Sequence, residues 1–210
     1  VVISEFHPLT APVFKQVAAE REAPIYFADS LEVPYTMDLK GGYQAKNIKG
    51  IVQTLRILQE KGWAISEENI QRGLSHIVAN THLMGRWQLL SEHPKTICDT
   101  AHNAHGFAEI FAQLGQEKYN TLHMVLGFVK EKDLDAILPM FPKEVHYYFC
   151  TPKIDRGLSA PLLQEKAASY GLRGDAFPSV ESALAQAREQ AHTDDFIYIG
   201  GSTFVVAEVV

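Results

Sequence analysis

The chain has 210 residues, 46% hydrophobic and 21% charged, with a formal net charge of −6. That length suits one large domain or two small ones, and the acidic balance argues against a broad nucleic-acid surface while leaving room for one local basic pocket. No apolar run is long enough to span a bilayer and no signal peptide is visible; Cys98 and Cys150 both lie in apolar, strand-like runs, so they are expected to be buried free thiols in a reducing cytoplasm.

In chain order, Val1 to Ser4 reads as a buried strand. There is no initial Met, so a longer parent protein is expected. Pro12 to Glu22 reads as a helix with Thr10 as its N-cap and Pro12 in its first turn. Pro24 to Ala28 is a short strand, and the alternation of Tyr35 to Leu39 suggests a third. Gly41-Gly42 breaks the pattern. From Tyr43 to Lys61, Ile48, Ile51, Val52, Leu55 and Leu58 recur at helical spacing, and Gly62 fits as the stop. Ser66-Glu67-Glu68-Asn69 resembles a capping-box start for a helix running to about Val78.

Beyond a lapse at His82 to Arg86, strands and helices alternate. Strands are predicted at Trp87 to Leu90, Thr96 to Cys98, Thr121 to Phe128, Val145 to Cys150, Ala176 to Phe177 and Phe196 to Ile199. Helices are predicted at Gly106 to Leu114, Leu134 to Phe141, Ser159 to Tyr170 (capped by Ser159) and Val180 to Ala191. Such repetition implies an α/β, Rossmann-like fold: a mostly parallel sheet with helices on both faces. Ligands of these sheets sit beyond the carboxyl ends of the strands. That marks Asp99 to His105, Phe128 to Asp133, Thr151 to Arg156 and Gly200 to Ser202.

The first of these places holds the densest chemistry. Asp99 ends a strand, His102 and Asn103 follow on the turn, and a helix opens at Gly106. A carboxylate there can accept hydroxyl hydrogen bonds from a ribose, and the free N–H groups of the next helix favour an anion. The alternative is a purely structural Asx-type turn, with Asp99 and Asn103 capping the helix. His102 and His105 lack a third metal ligand close in sequence, so no metal site is expected from this chain. There is no G-x-S-x-G nucleophile elbow, and neither cysteine lies on a loop with a nearby histidine.

Taken together, the words are distinctive. "DTAHNAHG" resembles the D-x-A-H-N-P-x-G signature that opens the C-terminal domain of folylpolyglutamate and dihydrofolate synthases, members of the Mur ligase superfamily. "GGYQAKNIKGIVQTLRIL" resembles that family's G-x-H-Q-x-x-N helix start, and "MGRWQLL" its G-R linker segment. "GFVKEKD" is similar to its G-x-x-x-D-K-D loop, and "GSTFVVAEVV" to its closing G-S-x-x-x-x-x-E-V. The likeness covers nearly the whole chain.

The resemblance implies a cytoplasmic, ATP-dependent ligase, monomeric at full length. It would join L-glutamate to dihydropteroate or folate through an acyl phosphate, with ATP and Mg²⁺. It implies that residues 1–84 are the tail of a central ATP-binding domain, and residues 85–210 the C-terminal domain. The P-loop and Mg²⁺ ligands would then lie upstream, and the chain alone would be inactive. Asn47 would contact adenine, Arg86 an ATP phosphate, and Asp99 the nucleotide and the linker. His102 would face the reaction centre, and Lys132 and Ser202 would bind the carboxylates of glutamate. Arg156 is a further carboxylate candidate. Tyr43, Ala104 and Glu131 depart from the family's usual His, Pro and Asp. A sibling ligase of peptidoglycan precursors and a non-enzymatic nucleotide-binding module remain as alternatives; Gln44 favours the folate branch.

Overall fold

Phe196-Ile197-Tyr198-Ile199 has no charged member, and all four side chains are buried. A strand points successive residues to opposite faces, so such a run needs cover on both sides. A computed structural model describing all 210 residues provides it. The chain forms two compact units, Val1–Leu83 and Met84–Val210.

The second unit is built on a six-stranded sheet of β3 (Gln88–Glu92), β4 (Lys95–Cys98), β5 (Leu122–Leu126), β6 (His146–Cys150), β7 (Gly174–Phe177) and β8 (Phe196–Gly200), in the order β3-β4-β8-β5-β6-β7. Only β3 runs antiparallel. One face carries Phe196 and Tyr198 with Leu122, Met124, Leu126, Tyr147 and Phe149. It is covered by α5 (Ala104–Leu114) through Phe107 and Ile110, and by α6 (Ala160–Ser169) through Leu163 and Ala167. The other face carries Ile197, Ile199, Val125, Tyr148 and Cys150. It is covered by α7 (Val180–Gln190) and the short α8 (Thr203–Ala207). The fold is therefore α/β, with a mostly parallel sheet and helices on both faces. Because β8 inserts between β4 and β5, the chain reverses direction there, and ligands of such sheets bind beyond the carboxyl ends of the strands at that point.

The first unit pairs β1 (Val2–Ile3) with β2 (Tyr26–Phe27) in parallel and adds four helices: α1 (Ala11–Glu20), α2 (Gln44–Glu60), α3 (Glu67–Ser75) and α4 (Ile77–Thr81). Its core joins Ile48 and Val52 of α2 to Ile70 and Leu74 of α3.

Several local expectations are corrected. Tyr35 to Leu39 is not a strand. Its alternation is real, since Tyr35 and Met37 pack on the α2–α3 core, but period-two burial reports a covered face and not a hydrogen-bonded neighbour. The helix expected over Leu134 to Phe141 shrinks to a 3₁₀ turn at Leu138–Met140. Pro139 lacks an N–H and its ring crowds the carbonyl four residues back, and Pro142 ends any continuation. The helix begun at Ser66 breaks at His76 (φ −135°, ψ 36°) and restarts as α4. Ser66 does cap α3, its hydroxyl accepting from Asn69 N at 3.1 Å. Thr10 and Ser159 make no side-chain caps; Thr151 Oγ1 takes the Ala160 N–H in place of Ser159, at 2.8 Å.

Candidate functional site

Asp99 ends β4 and is almost fully buried, 2% exposed. Its carboxylate is occupied by the protein: Oδ1 accepts from Ala101 N at 2.8 Å, closing an Asx turn, and Oδ2 accepts from Trp87 N at 2.7 Å. The second bond reaches back across the segment that leads into β3. Trp87 sits at φ +49°, a left-handed conformation that bulky residues avoid. Its amide bond to Asp99 and the tilted packing of its indole on Phe196, 6.2 Å between ring centres, hold it there. Gly85, two residues earlier, has φ +70°, and a Cβ on it would fall 2.7 Å from Val206 and 2.8 Å from the Thr100 methyl, so only glycine fits.

Arg86 lies between these two left-handed residues. Its Nη1 donates to the Thr100 hydroxyl and, at 3.4 Å, to the Gly85 carbonyl. Nε and Nη2 have no protein acceptor. Thr100 also accepts, through its main-chain carbonyl, from His102 Nδ1 at 3.0 Å. A carbonyl can only accept, so Nδ1 carries the proton and Nε2 is the lone-pair nitrogen of the neutral ring. Asn103 then caps α5, its Oδ1 accepting from Gly106 N at 2.7 Å. The structural reading of this turn and the ligand-facing one therefore fall on different residues. Asp99 and Asn103 fold the loop, while Arg86 and His102 keep uncommitted nitrogens.

The neighbouring strand ends converge on this turn. Asp99 N donates to Ile199 O at 3.1 Å and Gly127 N to Gly200 O at 3.3 Å, which ties the ends of β4, β8 and β5 together. Gly201, at φ +93°, packs so closely that a Cβ would lie 2.6 Å from Gly127 O and 3.1 Å from the Phe128 ring. Ser202 is buried and caps α8, accepting from Phe204 N at 3.2 Å, with its own O–H still to donate. Lys132 follows on the β5 loop, half-buried, its ammonium without a protein partner. That loop is zipped to the loop after β6, since Lys130 N donates to Arg156 O at 3.0 Å and Leu158 N to Phe128 O at 2.9 Å. The Arg156 guanidinium lies over the Phe204 ring, 5.0 Å from its centre. Arg86, His102, Lys132, Ser202 and Arg156 thus all stand on the carboxyl-end side of one sheet, a donor-rich rim suited to anions.

Asn47 belongs to the first unit, on the first turns of α2. Its Nδ2 donates to the buried Gln44 Oε1 at 2.9 Å. A groove of about 730 Å³ opens at this helix start, lined in part by Tyr35, Met37, Gly41, Gly42 and Gln44. A second groove, of about 880 Å³, is lined by α7, by Glu208 and Val209 after α8, and by Thr151 to Lys153, the start of the marked loop after β6, but not by Arg156 or the other singled-out residues. No group of three His, Cys, Asp or Glu side chains is placed to hold a metal ion. Cys98, beside Asp99, is no nucleophile: burial, with the neighbouring carboxylate, pushes its thiol up to about 12.

Residues 85–203 match the family described as Mur ligase, glutamate ligase domain. The chain belongs to this family. Among curated Mur ligase relatives, it is 32% identical to a probable bifunctional folylpolyglutamate synthase/dihydropteroate synthase of Haloferax volcanii, over 86% of this chain and 21% of that protein. It is 30% identical to the dihydrofolate synthase/folylpolyglutamate synthase of Escherichia coli, over 74% of this chain and 36% of that protein. The fold superimposes with a TM-score of 0.75 on a bifunctional folylpolyglutamate synthase/dihydrofolate synthase of Yersinia pestis solved with AMPPNP and a Mn ion, at 26% identity, covering 99% of this chain and 51% of that one. The chain therefore spans between about a fifth and a half of the length of these relatives.

The Mur ligase match begins at Gly85, the left-handed glycine that starts the Arg86 segment. Thr100, which the sequence does not single out, joins Arg86 to His102. A lone Thr after an acid carries no signal of its own. Nor does the sequence reveal that Trp87 is left-handed, since the groups that hold it so, the Asp99 carboxylate and the Phe196 ring, come from elsewhere in the chain.

Proposed function

We propose that this chain serves an ATP-dependent ligase that adds L-glutamate to dihydropteroate or a reduced folate. Residues 1–84 would be part of its ATP-binding domain and residues 85–210 its glutamate-ligase domain. The observation that carries the reading is the strand-end cluster of Arg86, Thr100 and His102, set within a stretch that matches a glutamate ligase domain.

The γ-phosphoryl group of ATP passes to the substrate carboxylate, giving ADP and an acyl phosphate. The amine of glutamate then attacks the acyl carbon, inorganic phosphate leaves with the C–O bond electrons, and the amine's proton is lost to a base. Arg86 presents Nε and Nη2 to phosphate oxygens and offsets charge as it develops. His102, with a basic Nε2, takes the proton or steadies the incoming glutamate. Lys132 and Ser202 donate to the glutamate carboxylates, with Arg156 in reach of the same class of group. Asn47 contacts the adenine. Asp99, buried and fully bonded, acts by fixing the Trp87 and Ala101 backbone on either side of the cluster, so it is a positioning residue. Mg²⁺ that accompanies ATP has no ligand set among these residues, and no step is assigned to it.

The test uses the gene product at its full encoded length. ADP release is measured with ATP, Mg²⁺ and glutamate on dihydropteroate, tetrahydrofolate and a UDP-muramoyl peptide, each beside Arg86→Ala. Turnover on a pterin substrate, lost in the variant, is the expected result. Turnover on the muramoyl peptide alone overturns the substrate, and none on any of the three overturns the ligase.

A further inference from the structure

We infer that Thr100 is the positioning residue for Arg86: its hydroxyl anchors one edge of the guanidinium so that the other edge is presented, preset, to a ligand phosphate. The inference rests on the reading of Arg86 as a phosphate contact given above. A guanidinium has five N–H donors in a planar fork. In this chain both Nη1 hydrogens are committed, one to Thr100 Oγ1 and one to Gly85 O. What remains is the Nε–Nη2 edge, with parallel N–H bonds spaced to meet two phosphate oxygens.

The rotamer of Thr100 is itself fixed. Its amide donates to Gly85 O at 3.0 Å, and its methyl packs where a Cβ on Gly85 would stand, 2.8 Å away. With the methyl held there, the stiff χ1 of a β-branched residue leaves the hydroxyl directed to Arg86. Valine would keep the shape and lose the acceptor, and serine would keep the acceptor and lose the methyl. The carbonyl that holds His102 belongs to the main chain, so neither change touches that bond. A tethered arginine has less rotamer freedom to give up when phosphate binds, and the benefit appears in the use of ATP and not in folding.

The experiment measures kcat/KM for ATP and Tm in the full-length gene product for Thr100→Val, Thr100→Ser, Arg86→Ala and the double variant Arg86→Ala/Thr100→Val. Thr100→Val is expected to lower kcat/KM by about tenfold, the order of one lost hydrogen bond to a charged group, with Tm nearly unchanged. Thr100→Ser should restore most of it. In the Arg86→Ala background Thr100→Val should add nothing, because the partner through which it acts is gone. A kcat/KM within twofold of the parent for Thr100→Val, while Arg86→Ala still loses activity, overturns the positioning role and leaves the ligase reading intact. Equal losses in both backgrounds, or failure of Ser to rescue, show a structural role and also overturn it. An Arg86→Ala that behaves like the parent overturns the phosphate reading and this inference with it. Should Thr100→Val not fold, Thr100→Ala takes its place in the same cycle and separates the same outcomes. An independent readout is the Arg86 Nε–H resonance in the chain itself, expected sharp in the parent and Thr100→Ser and averaged out in Thr100→Val.

Discussion

Replacing Asp99 by Asn exchanges one buried oxygen for an NH₂ group with almost no change in volume. In the native protein each carboxylate oxygen receives a backbone N–H, from Trp87 at 2.7 Å and from Ala101 at 2.8 Å. An amide has a single acceptor, so whichever way it turns, an NH₂ faces one of these donors. Losing one charge-assisted bond in a buried place costs about 1.5–3 kcal/mol. Trp87 offsets part of this. Its left-handed backbone stores about 1–3 kcal/mol of strain, some of which is released once its tether goes. The expected net loss is about 2 kcal/mol, which for a unit the size of Met84–Val210 lowers Tm by roughly 6–10 °C. Thermal unfolding followed by near-UV circular dichroism measures it, because Trp87 is buried whereas Trp63 is 64% exposed and contributes little. A Tm within about a degree of the parent, with the Trp87 amide resonance unmoved, would refute the claim that this carboxylate sets the Arg86 segment.

Gly201→Ala places a Cβ 2.6 Å from Gly127 O at φ +93°, and a loss of about 2–3 kcal/mol is expected in urea unfolding, together with weaker glutamate use. Acidification should destabilise the second unit in two stages. Burial holds the His123 imidazole below its ordinary 6.5, even against Asp195. Burial would raise the Asp195 carboxyl, but bonds from His192 N, the His123 ring and Thr121 N leave it below its ordinary 3.8. Both groups therefore bind protons more readily in the unfolded chain. The stability they contribute is full above those ordinary values and falls as pH drops through each. Tm recorded from pH 8 to 3 should decline below about 6.5 and again below about 4, with His123→Gln removing the first stage. Neither Cys98, its thiol pushed up to about 12, nor Cys150, raised further by its burial, should react with a thiol reagent at pH 8 until urea unfolds the chain. Fast native labelling would contradict their placement in the sheet.

What can be read from the residues in order follows periodicity and punctuation. Runs such as Val145 to Cys150 and Phe196 to Ile199 announce strands of the sheet, and the helical spacing from Ile48 to Leu58 announces α2. Where a local rule competed with another, the stronger steric term won: Pro139 cut short a helix that apolar spacing favoured. Where burial alone set the pattern, as at Tyr35 to Leu39, alternation did not imply a sheet neighbour.

The sequence by itself determined the strand-helix alternation, the family words and the residue types of the site, because these are properties of neighbours along the chain. Tertiary structure alone decided how those residues divide their work. It placed β8 between β4 and β5, so that Gly200 to Ser202 meets Asp99 to His102 across about a hundred residues of chain. It buried Asp99 and gave both of its oxygens to the backbone, while leaving nitrogens of Arg86 and His102 uncommitted. Which polar groups are consumed by the fold and which remain for a ligand depends on distances between residues far apart in sequence, and no local pattern encodes that.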